Sequence, residues 1–425
     1  MPNLSQLLIS KSSAEYRHVF DLCRDIAEKT DGVEGIYVVG GVVRDLILDR
    51  SPGDIDLSVV GDAKTFAQEL ASRLGAFSPV ESQFLTYKIN ATESSIPAVG
   101  FIDVINARSE TYAGPAELPD ITPSGIEDDL RRRDFTINSM AISLSASDWG
   151  TLVDPMKGFA DTMRKRIRVH TDSSFVLDPT RMFRTVRYAV RLGFTIDAHA
   201  IELIGASLKN IDRLSGARVR HEFELILGEP KRVEILQQCE ELGLLGAISS
   251  GLRIGSKALQ VLESQAEDET ISTDLSDLLA IVTFGLSEEE AQQTVKRIDG
   301  PAAWGESITG NAELSKHVAL LDQDGLLPSE ITDLLGPIPL ASIRAYIAVG
   351  PPLPRKGRMT EYIDKIRFVK PELTGDDLLE IGIPQGPVIG ELIEVVRRAK
   401  LDGQVKSKQE ELELAKSRLP GFLAN

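Results

Sequence analysis

The stretch "EGIYVVGGVVRDLILDRSPGDIDLSVVG", Glu34 to Gly61, constrains the fold more than any other part of the chain. An apolar run reads as a buried strand and stops at a double glycine. A helical segment from Val42 to Leu48 opens directly behind it, and "DIDLSVVG" then alternates as a second strand. A strand that feeds a helix through Gly40–Gly41 leaves backbone N–H groups and the positive helix end free to receive phosphate oxygens, with Arg44 one turn in. On the second strand Asp54 and Asp56 point the same way while Ile55 and Leu57 point the other.

Two carboxylates on one strand face repel unless a cation lies between them. Oxygen-only donors suit Mg²⁺, which takes one or two protein carboxylates and leaves its other positions to water and substrate phosphates. Asp103 in "GFIDVINAR" is a third candidate, because a charge among apolar strand neighbours is costly unless paired or liganded. Asp54, Asp56 and Asp103 together suit a two-metal centre, one ion activating a hydroxyl and the other stabilising a leaving pyrophosphate.

Around this centre, residues 13–30 and "DAKTFAQELASRLG" have helical spacing, and "FLTYKIN" and "VGFIDVINAR" read as further strands. The result is an α/β region with a sheet. Between Arg108 and Asp129 the prolines and turn residues predict a long, mobile loop. Beyond about residue 160 the strand signals fade, so the rest of the chain should be helical. Pro/Gly-marked breaks fall near 230 and 345. The expected class is therefore α+β.

The 425 residues suffice for two to four domains, and no run of eighteen apolar residues suggests a membrane span. The N-terminal residues lack the features of a secretory signal, so a cytoplasmic location is expected. Cys23 and Cys239 lie far apart without metal-ligand spacing and should be reduced and structural. A net charge of −17 argues at first against a polyanionic partner, yet residues 131–220 hold 16 Lys and Arg against 9 Asp and Glu. A basic middle is compatible with local binding of a polyanion.

The glycine turn and the D-x-D at this spacing resemble the nucleotidyltransferase superfamily of DNA polymerase beta type. The pattern G-G-x-V-R-D followed by D-x-D is similar to the class II tRNA nucleotidyltransferase and bacterial poly(A) polymerase family. Three further segments carry the likeness: "RRDFTINSMA" from Arg132 to Ala141, "VDPMKGFADTMRKRIRVH" and "LDPTRMFRTVRYAVRLGF". In the last, Arg181, Arg184, Arg187 and Arg191 share one helical face and Met182, Phe183, Val186, Ala189 and Val190 the opposite one. "SGARVRHEFELIL" and the stretch from Leu373 to Val405 extend the likeness more sparsely, and no adjacent His-Asp pair marks the phosphohydrolase domain attached to some members.

The resemblance implies a polymerase-beta-type nucleotidyltransferase head with a mixed sheet over residues 1–165, a helical neck for base selection over 166–230, a helical body over 231–345 and an RNA-binding helical tail over 346–425. It implies that Gly40, Gly41, Arg44, Arg132 and Arg133 meet the triphosphate and that Asn138 meets the sugar. Asp178 and Arg181 would read the Watson–Crick edge of the base, with Arg184 and Arg187 on the phosphates. A carboxylate beside Arg suits adenine and cytosine, which pair an amino group with a ring nitrogen. Leu177 departs from the family, which commonly has Glu before this Asp, and that puts switching between C and A in doubt.

The implied activity is addition of CCA, or part of it, to tRNA 3′ ends from CTP and ATP without a template, with Mg²⁺ and release of pyrophosphate. The alternatives are an A-adding enzyme or poly(A) polymerase using ATP alone and, from another class, a non-catalytic RNA-binding protein on a degenerate transferase scaffold. A small-molecule nucleotidyltransferase is a third. The sequence leaves the oligomeric state open.

Overall fold

In the computed structural model, which describes residues 3–267, 274–351 and 356–423, the chain divides into two compact units. One comprises Met1–Arg218 with Glu241–Ala247, the other Val219–Glu240 with Ile248–Asn425.

The first unit is built on a seven-stranded mixed sheet. Its strands are β1 (Val33–Val39), β2 (Ile55–Gly61), β3 (Val80–Glu81), β4 (Thr86–Asn90) and β5 (Phe101–Asn106), then, after a separate hairpin of β6 (Arg108–Thr111) and β7 (Asp120–Pro123), β8 (Ala141–Ser143) and β9 (Leu152–Val153). The spatial order is β3-β4-β5-β2-β1-β8-β9, and β2 and β5 form the one parallel pair in it. Alternation along the central strands puts Ile36, Val38, Leu57, Val59, Ile102 and Val104 into one core. The helices Ala14–Lys29 and Ala63–Leu74 cover that face with Val19, Phe20, Cys23, Phe66 and Leu70. Asp56 and Asp103 are register partners across the parallel pair and so lie on the opposite face.

Two expectations need correction. The stretch from Arg108 to Asp129 is not an irregular loop: β6 and β7 pair antiparallel, and a helix from Ile126 to Arg131 follows. The prolines that suggested a loop sit at the turn and strand end of this hairpin, where their lack of an N–H costs the ladder nothing. Among the described residues the region beyond residue 160 is mainly helical, apart from an isolated bridge of Val169 to Phe135 and one small sheet. Arg166–Ile167 and Thr195–Ile196 form a two-stranded parallel sheet too short to leave a periodic signal.

The second unit is helical throughout its described residues. One apolar cluster gathers Leu314, Leu335, Ile343, Tyr346, Met359 and Tyr362, so it draws on both sides of the expected break near 345. A second gathers Leu378, Leu392, Val396 and Ala415 beneath the helices Pro387–Leu401 and Lys408–Leu423. No helix among the described residues is long and apolar enough to cross a membrane.

Candidate active site

The end of β1 begins the site. Gly40 adopts φ 70°, and its N–H donates to the Met140 carbonyl at 3.1 Å as it caps the helix Gly41–Ile47. A Cβ at Gly40 would come within 2.9 Å of Arg133 Nη1 and 3.6 Å of an Asp56 carboxylate oxygen. Only glycine accepts that dihedral without strain and lets a guanidinium and a carboxylate close in on the turn.

Asp54 precedes β2 in a turn tied down by Tyr16, whose hydroxyl donates to the carbonyls of Pro52 and Gly53. Burial, opposed by the Arg133 guanidinium and reinforced by Asp103 and Asp54, raises the Asp56 carboxyl to about 6. A half-buried carboxylate pressed by two others is short of positive charge, and its donors are all oxygen. That fits a hard divalent cation. Asp103 is ion-paired to Lys88 at 3.0 Å, and no three His, Cys, Asp or Glu side chains among the described residues converge as a metal-holding group. The aspartates thus form an acidic edge, with Lys88 occupying part of it.

Next to this edge stands a web of buried charge that sequence reasoning missed. Asp129 is fully buried and accepts from Arg132 Nη2 at 2.7 Å and from Arg133 Nη2 at 3.0 Å. Burial alone would raise its carboxyl, but Arg133 and Arg132 outweigh that and hold it low. Arg132 also reaches Glu110 at 3.0 Å. Asp134, buried as well, accepts from Arg184 at 2.6 Å and from the Asn138 amide at 3.1 Å. Arg184 overcomes burial and keeps that carboxyl at about 2. The i,i+3 and i,i+4 spacing from Asp129 to the two arginines was a readable signal.

The helix Thr180–Leu192 supplies the third wall. Asp178 Oδ1 accepts from the Thr180 backbone N–H at 3.1 Å and hydroxyl at 2.6 Å, and from Arg218 Nη2 at 2.7 Å. Arg181 donates to the Arg132 carbonyl at 2.8 Å. The Tyr188 ring has the guanidinium carbons of Arg44, Arg184, Arg187 and Arg191 at 5.5–5.8 Å from its centroid. Neither Arg218 nor Tyr188 carried a signal of its own in the sequence.

These walls enclose a cleft of about 370 Å³. Of the sequence-selected residues, Gly40, Gly41, Asp56, Arg132, Arg133, Asn138, Asp178, Arg181 and Arg184 line it, and Asp54, Asp103, Arg44 and Arg187 do not. Arg44 is buried behind it, ion-paired to Asp45 at 2.9 Å and donating to Asn138 Oδ1 at 2.7 Å. Arg187 is 4 % exposed on the same helix as Arg184.

A cleft with an acidic edge, a guanidinium wall and a carboxylate–arginine pair deep in it invites comparison with known proteins. The profile of the poly A polymerase head domain matches residues 36–168, and that of the "Probable RNA and SrmB- binding site of polymerase A" matches 193–252. The A-adding tRNA nucleotidyltransferase of Halalkalibacterium halodurans is 30 % identical over 386 residues, covering 90 % of this chain and 88 % of its own length. The chain belongs to the tRNA nucleotidyltransferase family. The A-adding member of Geobacter sulfurreducens is 32 % identical across 93 % of the chain, which spans only 46 % of that relative's length. Among solved transferases, the Thermotoga maritima CCA-adding enzyme complexed with tRNA is 25 % identical with a TM-score of 0.69, over 98 % of this chain and 99 % of that one. The transferase head, 36–168, contains the glycine turn, all three aspartates and the Asp129 web, while Asp178 to Arg187 lies between the two matched profiles.

Proposed function

We propose that this protein adds nucleotides to the 3′ end of tRNA and that its addition is the terminal A. The observation that carries the reaction type is the cleft itself. Arg132 and Arg133, both fixed on Asp129, line one cleft with the Gly40 turn and Asp56, and Arg133 and Asp56 both close in on that turn. That juxtaposition suits a triphosphate held with its α-phosphorus against carboxylates. Support for A addition comes from the names of the two curated relatives described above.

The RNA 3′-oxygen attacks the α-phosphorus, the α–β phosphoanhydride bond breaks and pyrophosphate leaves. Asp103, backed by Lys88, receives or orients the hydroxyl proton. Arg132 and Arg133 take the phosphate charge, Asn138, oriented by Arg44, meets the sugar, and Asp178 with Arg181 meets the base. Arg184 stands on the phosphate side. Asp54 and Asp56, with Asp103, would hold Mg²⁺, which when bound neutralises phosphate charge and lowers the hydroxyl's pKa. Positioning and fixed charge supply most of the rate in such a transfer. The two cysteines are buried and unbridged, in keeping with a reducing cytoplasm.

A second reading, complete CCA synthesis, is favoured by the near full-length likeness to the Thermotoga enzyme. Purified protein with Mg²⁺ and tRNAs ending at the discriminator base, at C and at CC, each with ATP, CTP or both, separates the readings. Single-A extension of CC ends alone supports A addition. CCA built from the discriminator base supports the second reading, a long A tail indicates a poly(A) polymerase, and no extension overturns both.

A further inference from the structure

In phosphoryl and nucleotidyl transfer the attacking and leaving oxygens stand roughly in line on opposite sides of the phosphorus. A pyrophosphate leaving toward Gly40 and Arg133 therefore calls for an RNA hydroxyl that arrives from the other side of Asp56. The strand order gives that side: β1, which ends at Gly40, flanks β2 on one edge, and β5 and then β4 follow on the other. Lys88, Asp103 and Asp56 are successive register partners across β4, β5 and β2, so they form a row on one sheet face. Asp56 lines the nucleotide cleft, whereas Asp103 and Lys88 lie outside it.

Beside the outer end of this row is an aromatic ring with no part in the cleft. Phe101 opens β5 two residues before Asp103, on the same face, and is 37 % exposed, while Ile102 and Val104 on the other face are fully buried. Gly100 before it adopts φ 74°, and Asp54 Oδ1 lies 3.5 Å from where a Cβ there would stand, so the acidic turn borders the start of β5. Lys88 Nζ is 5.1 Å from the Phe101 ring centroid and 3.0 Å from Asp103. An ammonium has three donors, and with about half its side chain exposed Lys88 keeps some of them for an anion from outside. A lone exposed Phe would mean little. An open ring with a cation against it, next to the carboxylates that meet the hydroxyl, suits one unpaired nucleotide, its base on the ring and its phosphate on the ammonium.

We infer that Phe101 and Lys88 seat the last nucleotide of the RNA, with its base stacked on the Phe101 ring, the phosphate on its 5′ side at Lys88 Nζ and its 3′-hydroxyl at Asp103; this rests on the nucleotide-addition reading above. Every base has a π-face, so such a seat holds the terminus without reading which base it carries.

The test is kcat/KM for RNA with ATP and CTP present, for wild type, Phe101→Leu and Phe101→Tyr. One substrate is a tRNA ending in CC, and the other is the same tRNA whose terminal nucleotide keeps sugar and phosphate but lacks its base. Leucine keeps apolar bulk on the strand and removes the ring. For wild type, loss of the base should lower kcat/KM by about fivefold or more, and Phe101→Leu should show the same loss on the intact RNA. The two losses should not multiply: on the variant, removing the base costs less than about twofold further. Phe101→Tyr should behave as wild type, and the KM for nucleotide should stay unchanged throughout. A merely structural ring would leave the cost of losing the base equal in wild type and Phe101→Leu, and that result overturns the inference, as does a wild type that uses both RNAs equally. For Lys88→Gln the salt dependence of RNA binding should flatten by about one released ion, and an unchanged slope overturns the phosphate contact. Should Phe101→Leu not fold, Phe101→Val, a better strand former, is read by the same comparison. If wild type extends no RNA, the addition reading falls, and the seat is judged separately by equilibrium binding of the two RNAs. A cost of losing the base that is absent in wild type, or unchanged in Phe101→Leu, then overturns it.

Discussion

Asp129 in the head and Glu411 in the tail are both carboxylates with no exposed side-chain surface, yet they do different things. Asp129 accepts from Arg132 and Arg133, and both guanidiniums continue past it into the cleft lining. Glu411 accepts from Lys400 at 2.8 Å and from the backbone N–H groups of Glu372 and Leu373 at 2.8 Å each. Its cation is shared with Glu372, and its other donors are main-chain amides with no further task. Burial is equal in the two places. The difference lies in whether the cations that satisfy the carboxylate have donors left over, as a guanidinium with five N–H groups does.

The largest effect should come from Asp129→Asn. Removing one charge of a buried pair costs about 3–5 kcal/mol of stability because uncompensated cations remain. The two guanidiniums proposed to meet phosphate also lose their common anchor, so nucleotide addition should fall by about 10²-fold or more. Thermal unfolding and kcat/KM for ATP read the two losses separately. A variant that loses stability but keeps its turnover would put Asp129 in the same class as Glu411 and erase the distinction.

A smaller effect tests whether the head's web is poised by burial as well as by pairing. His170 accepts from or donates to the Ser139 hydroxyl through Nε2 at 2.7 Å, near enough to Asp134 to feel its charge. Burial, helped by Arg181, Arg168 and Arg131 and opposed by Asp134, lowers its imidazole to about 4. The unfolded chain therefore takes up a proton below about 6.5 that the folded chain refuses until about 4, and stability must decline as pH falls through that window. The full decline approaches about 3 kcal/mol. His170→Gln, whose amide can still bond Ser139, should flatten the unfolding temperature between pH 6.5 and 4. Parallel pH profiles for wild type and variant would show that another group carries the acid sensitivity.

The parts of the site that could be read in the sequence are those whose chemistry and spacing lie within a few residues. The Gly40–Gly41 turn, the strand that carries Asp56 and the Arg132–Arg133 pair each announce themselves locally, and so does the helix from Thr180, whereas Asp54, expected on that strand, lies in the turn before it. The parts that could not be read depend on pairings across long separations. Arg44 meets Asn138 94 residues away, so the arginine expected on the phosphates is buried against the residue expected on the sugar. Arg218 meets Ala116 102 residues away, and nothing in "SGARVRHEF" marks that arginine over its neighbour Arg220. The hairpin of β6 and β7 has four-residue strands, too short for alternation to outvote the prolines and glycines around it. Local pattern reports which residues are chemically capable, and the sheet then decides which of them meet.

The smallest effect belongs to the tail and sharpens the comparison from its other side. Glu411→Gln keeps the shape and one acceptor oxygen but places an amide NH₂ where a backbone N–H or Lys400 now donates. Both backbone N–H groups share Oε2, so the amide NH₂ takes the place of Oε1, and Lys400 loses its buried acceptor at a cost of about 1–3 kcal/mol while retaining Glu372 at 3.1 Å. The helices Pro387–Leu401 and Lys408–Leu423 share the apolar cluster of Leu392, Val396 and Ala415, so most of their packing survives. The expected outcome is a modest drop in unfolding temperature with the KM for ATP unchanged, because no group that Glu411 holds reaches the nucleotide cleft. A rise in that KM comparable to the effect of Asp129→Asn would mean that the tail carboxylate also governs a cation the nucleotide feels, and burial rather than leftover donors would then be the property the two sites have in common.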